Sequence, residues 1–359
     1  MASAKHTYHP DYATPPGATL KEAIEARGLS QADFAARMGM AEKTVSQIVN
    51  GIAPISVDTA YKLELVLGIP ASFWNRMELA YREHLIRSEE TSKLEVDIAW
   101  LKEIPVKELI ERKYIVAATD KSHLVRQLLE FFGVSSVQAW RDVLAKSAIQ
   151  FRGGEAHQKY PGYVAAWRRL GVLSAQAMET APFNPQEFLR ALRTVRGMTT
   201  KNAKEWSVEI KSVCAAAGVA VALTEEIPKA SISGAARWLT KDKAMIQVSL
   251  KYKTDDQFWF TFFHEAGHIL KHGKKQVFVD YGYSEDQEEE REANEFARDF
   301  LIPPSYAHRL PFVAKSRPLI KDFAATIGIS PGIVVGRLQH DGLVYPGAYT
   351  DLKRKYEWA

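Results

Sequence analysis

The stretch Phe258-Trp-Phe-Thr-Phe-Phe-His-Glu-Ala-Gly-His-Ile-Leu270 combines an apolar helical pattern with two histidines and a glutamate. His264 and His268 stand four positions apart, so a helix would project both imidazoles from one face, one turn apart. This spacing suits a single zinc ion, and Glu265 beside them can take a proton from a water bound to the metal. Burying polar side chains in so apolar a helix is unfavourable unless they have partners. This cost favours a metal site over a chance occurrence of the motif.

A catalytic zinc usually has three protein ligands, and the candidates nearby are His272, Glu290 and Glu292. His272 continues the four-residue ladder, but on a straight helix it lies about 12 Å along the axis from His264. One ion cannot bridge that distance. We therefore interpret His272 as the C-terminal residue of the helix, next to Gly273.

The better third ligand lies in residues 284–303, where apolar residues recur with helical spacing and two prolines end the pattern. Glu290 falls on the buried face of this predicted helix, whereas Glu292 is offset by about 200° and remains the fallback. Asn294 follows Glu290 by one turn and can hold a ligating histidine by hydrogen bond. The competing interpretation, a solvated acidic helix face, fits the other acids of the run.

Three blocks carry a family resemblance in a fixed order, namely His264-Glu-Ala-Gly-His268, Glu290-Arg-Glu-Ala-Asn-Glu-Phe-Ala297 and Leu301-Ile-Pro303. They resemble the ImmA/IrrE family of bacterial zinc metallopeptidases over roughly residues 225–310. The resemblance implies a gluzincin-like site with His264, His268 and Glu290 on Zn2+ and Glu265 as the catalytic base. Segments 231–239 and 244–250 look like the family's strands before the active-site helix.

The residues themselves also predict a small sheet. Val219-Ala-Val-Ala-Leu223 reads as a buried strand, and Met245-Ile-Gln-Val-Ser-Leu250 is short, apolar and rich in β-formers. An edge strand beside the zinc helix can take up an extended peptide, although such strands can also serve only to cover the helix. A side chain that stabilises the transition state by donating a hydrogen bond cannot be singled out from the sequence. The candidates are Arg237, Tyr281, Tyr283 and His308.

A second signal lies near the N-terminus, where short amphipathic segments alternate with glycines. Ser30 and Asp33 form a capping pattern that opens a helix over residues 31–38, which Gly39 ends. A further helix spans residues 41–51 and another spans 57–67. Two short helices joined by a tight glycine turn predict a helix-turn-helix, whose second helix enters the major groove of DNA.

Leu29-Ser-Gln-Ala-Asp-Phe-Ala35 and Ser46-Gln-Ile-Val-Asn-Gly51 resemble the XRE/Cro-type helix-turn-helix family, and more closely its HigA-type antitoxin branch. The resemblance places Glu42, Lys43 and Gln47 on the base-facing side of the recognition helix. It places Gln31, Thr44 and Ser46 near phosphates or in supporting positions. The alternative is a small helical bundle used for protein contacts. Because the recognition helix is poor in arginine, a homodimer would supply part of the affinity for an operator.

Composition sets the remaining bounds. The 359 residues suffice for two or three domains, and a hydrophobic content of 46% supports sizeable cores. A net charge of +4 allows DNA binding without demanding it. The single cysteine, Cys214, excludes an internal disulfide framework and fits a reducing cytoplasm. We see neither a membrane-spanning stretch nor a signal peptide, so we expect a cytoplasmic protein without a membrane partner.

We therefore predict an α+β chain with five segments. An N-terminal tail (1–17) precedes an all-α helix-turn-helix domain (18–85) and a helical region (86–217) that links, dimerises or regulates. A zinc metallopeptidase domain with a small sheet (218–310) is followed by a small helical C-terminal cap (311–359).

Three functions compete. The first is a DNA-binding transcriptional regulator whose zinc endopeptidase cleaves a specific repressor or antitoxin. The second is a HigA-like regulator whose zinc domain is a sensor or scaffold without proteolysis. The third, a plain toxin-neutralising antitoxin of a toxin–antitoxin pair, ranks last because no toxin-binding segment is recognisable. Glu265 favours the first, since a structural zinc site needs no base there.

Overall fold

The computed structural model describes residues 14–150, 159–272, 277–280 and 288–358, with side chains at all of these except 91–92, 145–150 and 277–280. The chain divides into two compact units, one ending at Ile98 and the other beginning at Ala99. No single helix of the described ranges is long and apolar enough to cross a membrane. Helices Arg317–Ile327 and Pro331–His340 pass that test only as a pair, bent by 113°.

The first unit is all-helical, as the N-terminal sequence predicts. Its helices are α1 (Pro16–Glu25), α2 (Gln31–Met38), α3 (Glu42–Val49), α4 (Val57–Leu67) and α5 (Ala71–Val96). Helix α5 runs across residue 85, where we placed the end of the DNA-binding domain. The domain boundaries drawn from the sequence stay predictions.

Capping and close packing fix the helix-turn-helix pair. The Ser30 hydroxyl accepts a hydrogen bond from the Asp33 amide at 3.1 Å, which satisfies one of the free amides at the start of α2. Gly39 ends α2 with φ = 62°, a left-handed conformation that favours glycine. Gly17 of α1 packs against α3 so closely that a Cβ there would lie 2.3 Å from the Ile48 carbonyl oxygen. Apolar side chains of all five helices share one core, including Leu20, Phe34, Val45, Ile48, Leu63 and Trp74.

The second unit combines helices with one sheet. Before the sheet come α6 (Val106–Glu111), α7 (Lys121–Phe132), α8 (Val137–Gln150), α9 (Pro161–Ala177), α10 (Pro185–Met198) and α11 (Ala203–Ala215). The strands are β1 (Val219–Leu223), β2 (Gly234–Thr240), β3 (Lys243–Val248) and β4 (Val277–Asp280). Helix α12 (Asp255–Lys271) lies between β3 and β4 in the chain. The remaining helices are α13 (Glu288–Leu301), α14 (Pro304–Ala307), α15 (Leu310–Val313), α16 (Arg317–Ile327) and α17 (Pro331–His340).

The sheet has the strand order β1-β3-β2-β4. Strands β1 and β3 are parallel, whereas β2 is antiparallel to both β3 and β4. The strands predicted at 219–223 and 245–250 are present as β1 and β3, and the second ends two residues earlier than predicted. The sequence did not predict β4. Among the described residues β1 and β4 are the edge strands, so β2 is an inner strand.

Helix α12 is the centre of the second unit, where it packs against α13, α17, β2 and β3. Its aromatic residues share one core with α10, α11 and the segments after residue 310. At its first turn, Trp259 donates a hydrogen bond to the Tyr356 hydroxyl at 3.0 Å, and the Ser330 hydroxyl donates to Asp255 at 2.5 Å. The C-terminal segment that we expected to be a small cap is thus packed into the core around α12.

Candidate metal centre

Helix α12, which carries the two histidines, is buried on nearly all of its sides. Thirteen of its residues are buried, and they include His264, Glu265 and His268. Gly267 lets α13 approach, since a Cβ at this position would lie 3.2 Å from the Cα of Ala293. This close approach places the first turn of α13, and with it Glu290, next to the histidines.

The three side chains that we predict as metal ligands lie close together. The Nε2 atoms of His264 and His268 lie 3.0 Å apart. The two carboxylate oxygens of Glu290 lie 3.2 Å from Nε2 of His264 and 3.4 Å from Nε2 of His268. Tetrahedral zinc, with ligands at about 2.0–2.1 Å, separates its ligand atoms by roughly 3.3–3.4 Å. Two imidazole nitrogens and one carboxylate oxygen at these distances fit a zinc ion.

The electrostatics of His268 and Glu290 also suit a cation. Burial lowers the pKa of His268 to about 4, so its imidazole is neutral at pH 7. For Glu290, burial raises the pKa, but the contacts with His264 and His268 outweigh burial and bring it to about 2. Neutral imidazole and ionised carboxylate are the forms that bind metals.

Each histidine is held at its other ring nitrogen. The Oδ1 of Asn294 lies 2.9 Å from Nδ1 of His264. Nδ1 of His268 lies 3.1 Å from Nδ1 of His272, and Nε2 of His272 lies 3.1 Å from Glu292. Such contacts orient imidazoles for metal binding and fix their tautomers.

The contacts of His272 and Glu292 separate the candidate ligands. Glu292, the fallback ligand, contacts His272, whereas Glu290 reaches both His264 and His268. His272 is the residue at the end of α12, as expected, yet it also contacts His268. The signal that could have indicated this contact was the continued four-residue spacing of the histidines.

Glu265 lies on the sheet side of α12 and is fully buried. A Cβ at Gly234, the first residue of β2, would lie 2.6 Å from Oε1 of Glu265 and 2.6 Å from Cγ2 of Thr261. Gly234 therefore leaves the space that the Glu265 carboxylate uses. Sequence reasoning did not identify Gly234, because its role depends on contact between a strand and a helix that are distant in the chain.

The structure also bears on the four candidate donors for the transition state. Arg237 is three residues after Gly234 on β2, so the pleat directs it to the face of the sheet away from α12. There, burial lowers its pKa, and the nearby Arg169 lowers it further. His308 follows α14. Tyr281 and Tyr283 lie outside the described residues.

The predicted DNA-contact residues lie on α2 and α3. Glu42 and Lys43 are exposed at the start of α3, and Gln47 is half-buried one turn later. The positions expected near phosphates, Gln31, Thr44 and Ser46, are half-buried. The Ser46 hydroxyl accepts a hydrogen bond from the Asn50 amide at 3.3 Å, so it also supports the end of the helix. Val45, Ile48 and Val49 form the opposite, buried face of α3.

Comparison with known proteins agrees with both parts of this description. Residues 20–74 match the helix-turn-helix family model, and residues 223–339 match the model of the IrrE N-terminal-like domain. The chain therefore joins a helix-turn-helix domain to an IrrE/ImmA-like domain with a metallopeptidase-type fold. The second match extends past residue 310 and takes in α16 and α17, in keeping with their place in the core.

Two solved structures resemble a part of the chain. One is an addiction module antidote protein of a HigA family from Coxiella burnetii, 26% identical, covering 23% of this chain and 90% of its own, with a TM-score of 0.22. The other is a putative antidote protein of a plasmid maintenance system from Nostoc punctiforme, 22% identical, covering 23% of this chain and 93% of its own, with a TM-score of 0.22. No curated protein matches the chain.

Proposed function

We propose that this protein is a transcriptional regulator with a zinc-dependent endopeptidase that cleaves a specific protein. The observation that carries the proposal is the convergence of His264, His268 and Glu290, with the buried Glu265 next to His264 on the same helix. A purely structural zinc site uses four protein ligands, whereas a catalytic site uses three and leaves a position open.

The residues divide the chemistry among themselves. His264, His268 and Glu290 would hold the zinc ion, while Asn294 and His272 hold the histidines. When bound, zinc lowers the pKa of a water ligand to about 7 and polarises the carbonyl of the scissile bond. Glu265 would accept the proton from the attacking water and pass it to the leaving amine. Strand β4, at the edge of the sheet next to β2, would align an extended substrate by backbone pairing.

The substrate that we propose is a second DNA-binding protein, a repressor or an antitoxin. A helix-turn-helix domain in the same chain would bring the peptidase domain to an operator. Tethering at one site raises the local concentration of the enzyme for proteins that bind nearby, without any new contact. The protein would therefore act in the cytoplasm, with the DNA.

Operator recognition would use α3. Lys43 can donate to guanine and Gln47 can pair with adenine, while Glu42 can accept from cytosine. Gln31, Thr44 and Ser46 would contact or support phosphates. One helix-turn-helix reads one half-site, so we propose that a homodimer binds a two-fold operator.

The test compares cleaved protein ends across the proteome in cells that express the wild type or Glu265→Gln. We expect a small set of new N-termini with the wild type that Glu265→Gln lacks. The rival function, a regulator whose zinc domain is a sensor or scaffold, predicts the same N-termini in both strains, and that result would refute the endopeptidase.

A further inference from the structure

Helix α4 is apolar on two opposite sides. Its inner side supplies three residues to the core of the first unit, namely Ala60, Leu63 and Leu67. On its outer side, Val57, Tyr61 and Leu65 are 75%, 57% and 67% exposed. Positions four residues apart are offset by only about 40° around a helix, so these three side chains, which we call the α4 stripe, form one continuous row.

The α4 stripe is unusual for the outer side of a helix. A helix on the surface of a globular protein normally directs polar side chains to the solvent. The exposed fractions include the covering effect of all the residues that the structure describes, so no described segment packs over the stripe. Because monomeric proteins rarely expose a contiguous apolar patch without a partner, the stripe marks an interaction surface.

The charged neighbours of the α4 stripe argue against DNA as its occupant. On the helical wheel, Asp58 lies on one side of the stripe and Glu64 lies on the other, and both are exposed. Carboxylates at these positions would repel the phosphates of DNA. Lys62, the only base of α4, already pairs with Asp58 at 3.1 Å. The occupant is therefore a protein surface.

The α4 stripe is complementary to a second copy of itself. When two copies of α4 pack antiparallel about a two-fold axis at Tyr61, the two Tyr61 rings meet, and Val57 of each copy meets Leu65 of the other. Rows of side chains spaced by four residues pack into one another in the commonest class of helix–helix contact. A two-fold contact uses the same patch on both copies, so one row on each copy is sufficient.

The charges beside the α4 stripe match in the same arrangement. Asp58 and Lys62 lie on one side of the stripe, three residues before and one residue after Tyr61. The antiparallel packing therefore places Lys62 of each copy beside Asp58 of the other, and opposite charges at the rim favour this register. On the other side, Glu64 accepts a hydrogen bond from the Ala71 amide of its own chain at 2.5 Å.

We infer that the α4 stripe is the surface through which two copies of this chain form a homodimer. The inference rests on the homodimer of the proposed function and specifies its interface, but it is independent of the zinc site and of proteolysis. Three side chains per copy form a small interface, so the dimer is weak in the absence of DNA. Two half-sites of one operator would then hold both copies at a high local concentration.

Sedimentation equilibrium of the full chain without DNA tests the interface. We expect the wild type to dimerise with a dissociation constant of about 100 µM or lower. Tyr61→Glu should dimerise at least about tenfold more weakly, because two carboxylates then meet on the two-fold axis. A wild type that stays monomeric well above this concentration, as it would if residues 1–13 covered the stripe, would overturn the inference. So would a Tyr61→Glu variant that dimerises like the wild type.

Two valines provide a matched control. Val57 and Val208 are 75% and 71% exposed, each on a helix, and only Val57 belongs to the α4 stripe. Val57→Glu should weaken dimerisation at least about fivefold, whereas Val208→Glu should dimerise like the wild type. Equal effects of the two substitutions would contradict the assignment of the interface to α4.

Mixing two variants tests the place of Tyr61 on the axis. Tyr61→Glu and Tyr61→Lys should each dimerise poorly alone and form a heterodimer when mixed, because opposite charges then meet. A mixture that associates no more than the separate variants would refute the antiparallel arrangement and the inference with it. A wild-type dimer without sequence-specific DNA binding would instead refute operator recognition and leave the interface in place, so the inference and the proposed function can fail independently.

Discussion

The Oδ1 atom of Asn294 lies 2.9 Å from Nδ1 of His264, across the contact between α13 and α12. An amide oxygen at this distance accepts the Nδ1 proton, so the lone pair of the ring is left on Nε2. Nε2 is the nitrogen that faces His268 and Glu290. One asparagine thus fixes both the direction and the tautomer of the histidine.

Asn294→Ala should therefore weaken zinc binding by about 10–100-fold, the usual effect of removing such a partner. The measurement is a competition titration against a zinc chelator. Glu288→Ala on the exposed face of the same helix is the control and should bind zinc like the wild type. An unchanged affinity in Asn294→Ala would show that the contact does not orient the ligand.

Two glutamates separated by one residue should behave differently. Glu290→Gln removes the charge of the carboxylate whose two oxygens reach the two histidines. The purified variant should therefore hold well below the content of about one zinc per chain that we expect of the wild type. Glu292→Gln removes only the partner of His272 and should keep the metal with about 10–100-fold lower affinity. Elemental analysis decides the point. Full zinc content in Glu290→Gln, or in His264→Ala, would contradict the ligand assignment.

The double variant Lys43→Ala, Gln47→Ala should lose sequence-specific DNA binding and keep its fold. Each lost bidentate contact to a base costs about 1–3 kcal/mol of discrimination. A mobility-shift assay against a non-specific duplex gives the readout, with Lys21→Ala on α1 as the charge-matched control. Specific binding that survives in the double variant would move the base contacts away from α3.

Asp255 should make the stability of the second unit depend on pH. Burial raises the pKa of Asp255 to about 6, although the Ser330 hydroxyl opposes this by donating to Oδ2. The folded state thus holds the proton more tightly than the unfolded chain, whose Asp pKa is about 3.9. The stabilisation is present in full below about pH 4 and is lost as the pH rises to about 6.

The amide side chain in Asp255→Asn cannot ionise, so this variant does not lose stability as the pH rises. Its stability relative to the wild type should rise between about pH 4 and pH 6, by an amount on the order of 3 kcal/mol. Urea unfolding at several pH values measures the difference. A difference that stays constant across this range would mean that Asp255 is not protonated in the folded state.

The sequence was sufficient to predict features whose residues all lie within a single helix. The apolar stretch and the histidine spacing predicted α12, and helical phase ranked Glu290 above Glu292, because both arguments need only the geometry of a single helix. The helix-turn-helix followed from Ser30 and Gly39, which act through local capping. These features depend on residues within one or two turns of each other.

The sequence was insufficient where elements distant in the chain meet. The contact of His272 with Glu292 depends on how the end of α12 meets α13, and the space for Glu265 depends on Gly234 in β2. The segment after residue 310 resembles a small helical cap in sequence, and the structure adds that its apolar side chains belong to the core around α12.

The central claim is that this protein acts through proteolysis with Glu265 as the general base. A glutamine at this position leaves His264, His268 and Glu290 in place but cannot accept a proton, and general-base action contributes about 10²–10⁴-fold to the rate. Zinc content and DNA binding of Glu265→Gln should equal those of the wild type, which excludes misfolding.

The most direct measurement is derepression of the native promoter in cells that express the wild type, Glu265→Gln or His264→Ala. We predict that only the wild type derepresses, because each variant lacks a group that cleavage needs. If Glu265→Gln derepresses as well as the wild type, proteolysis is not how this protein acts.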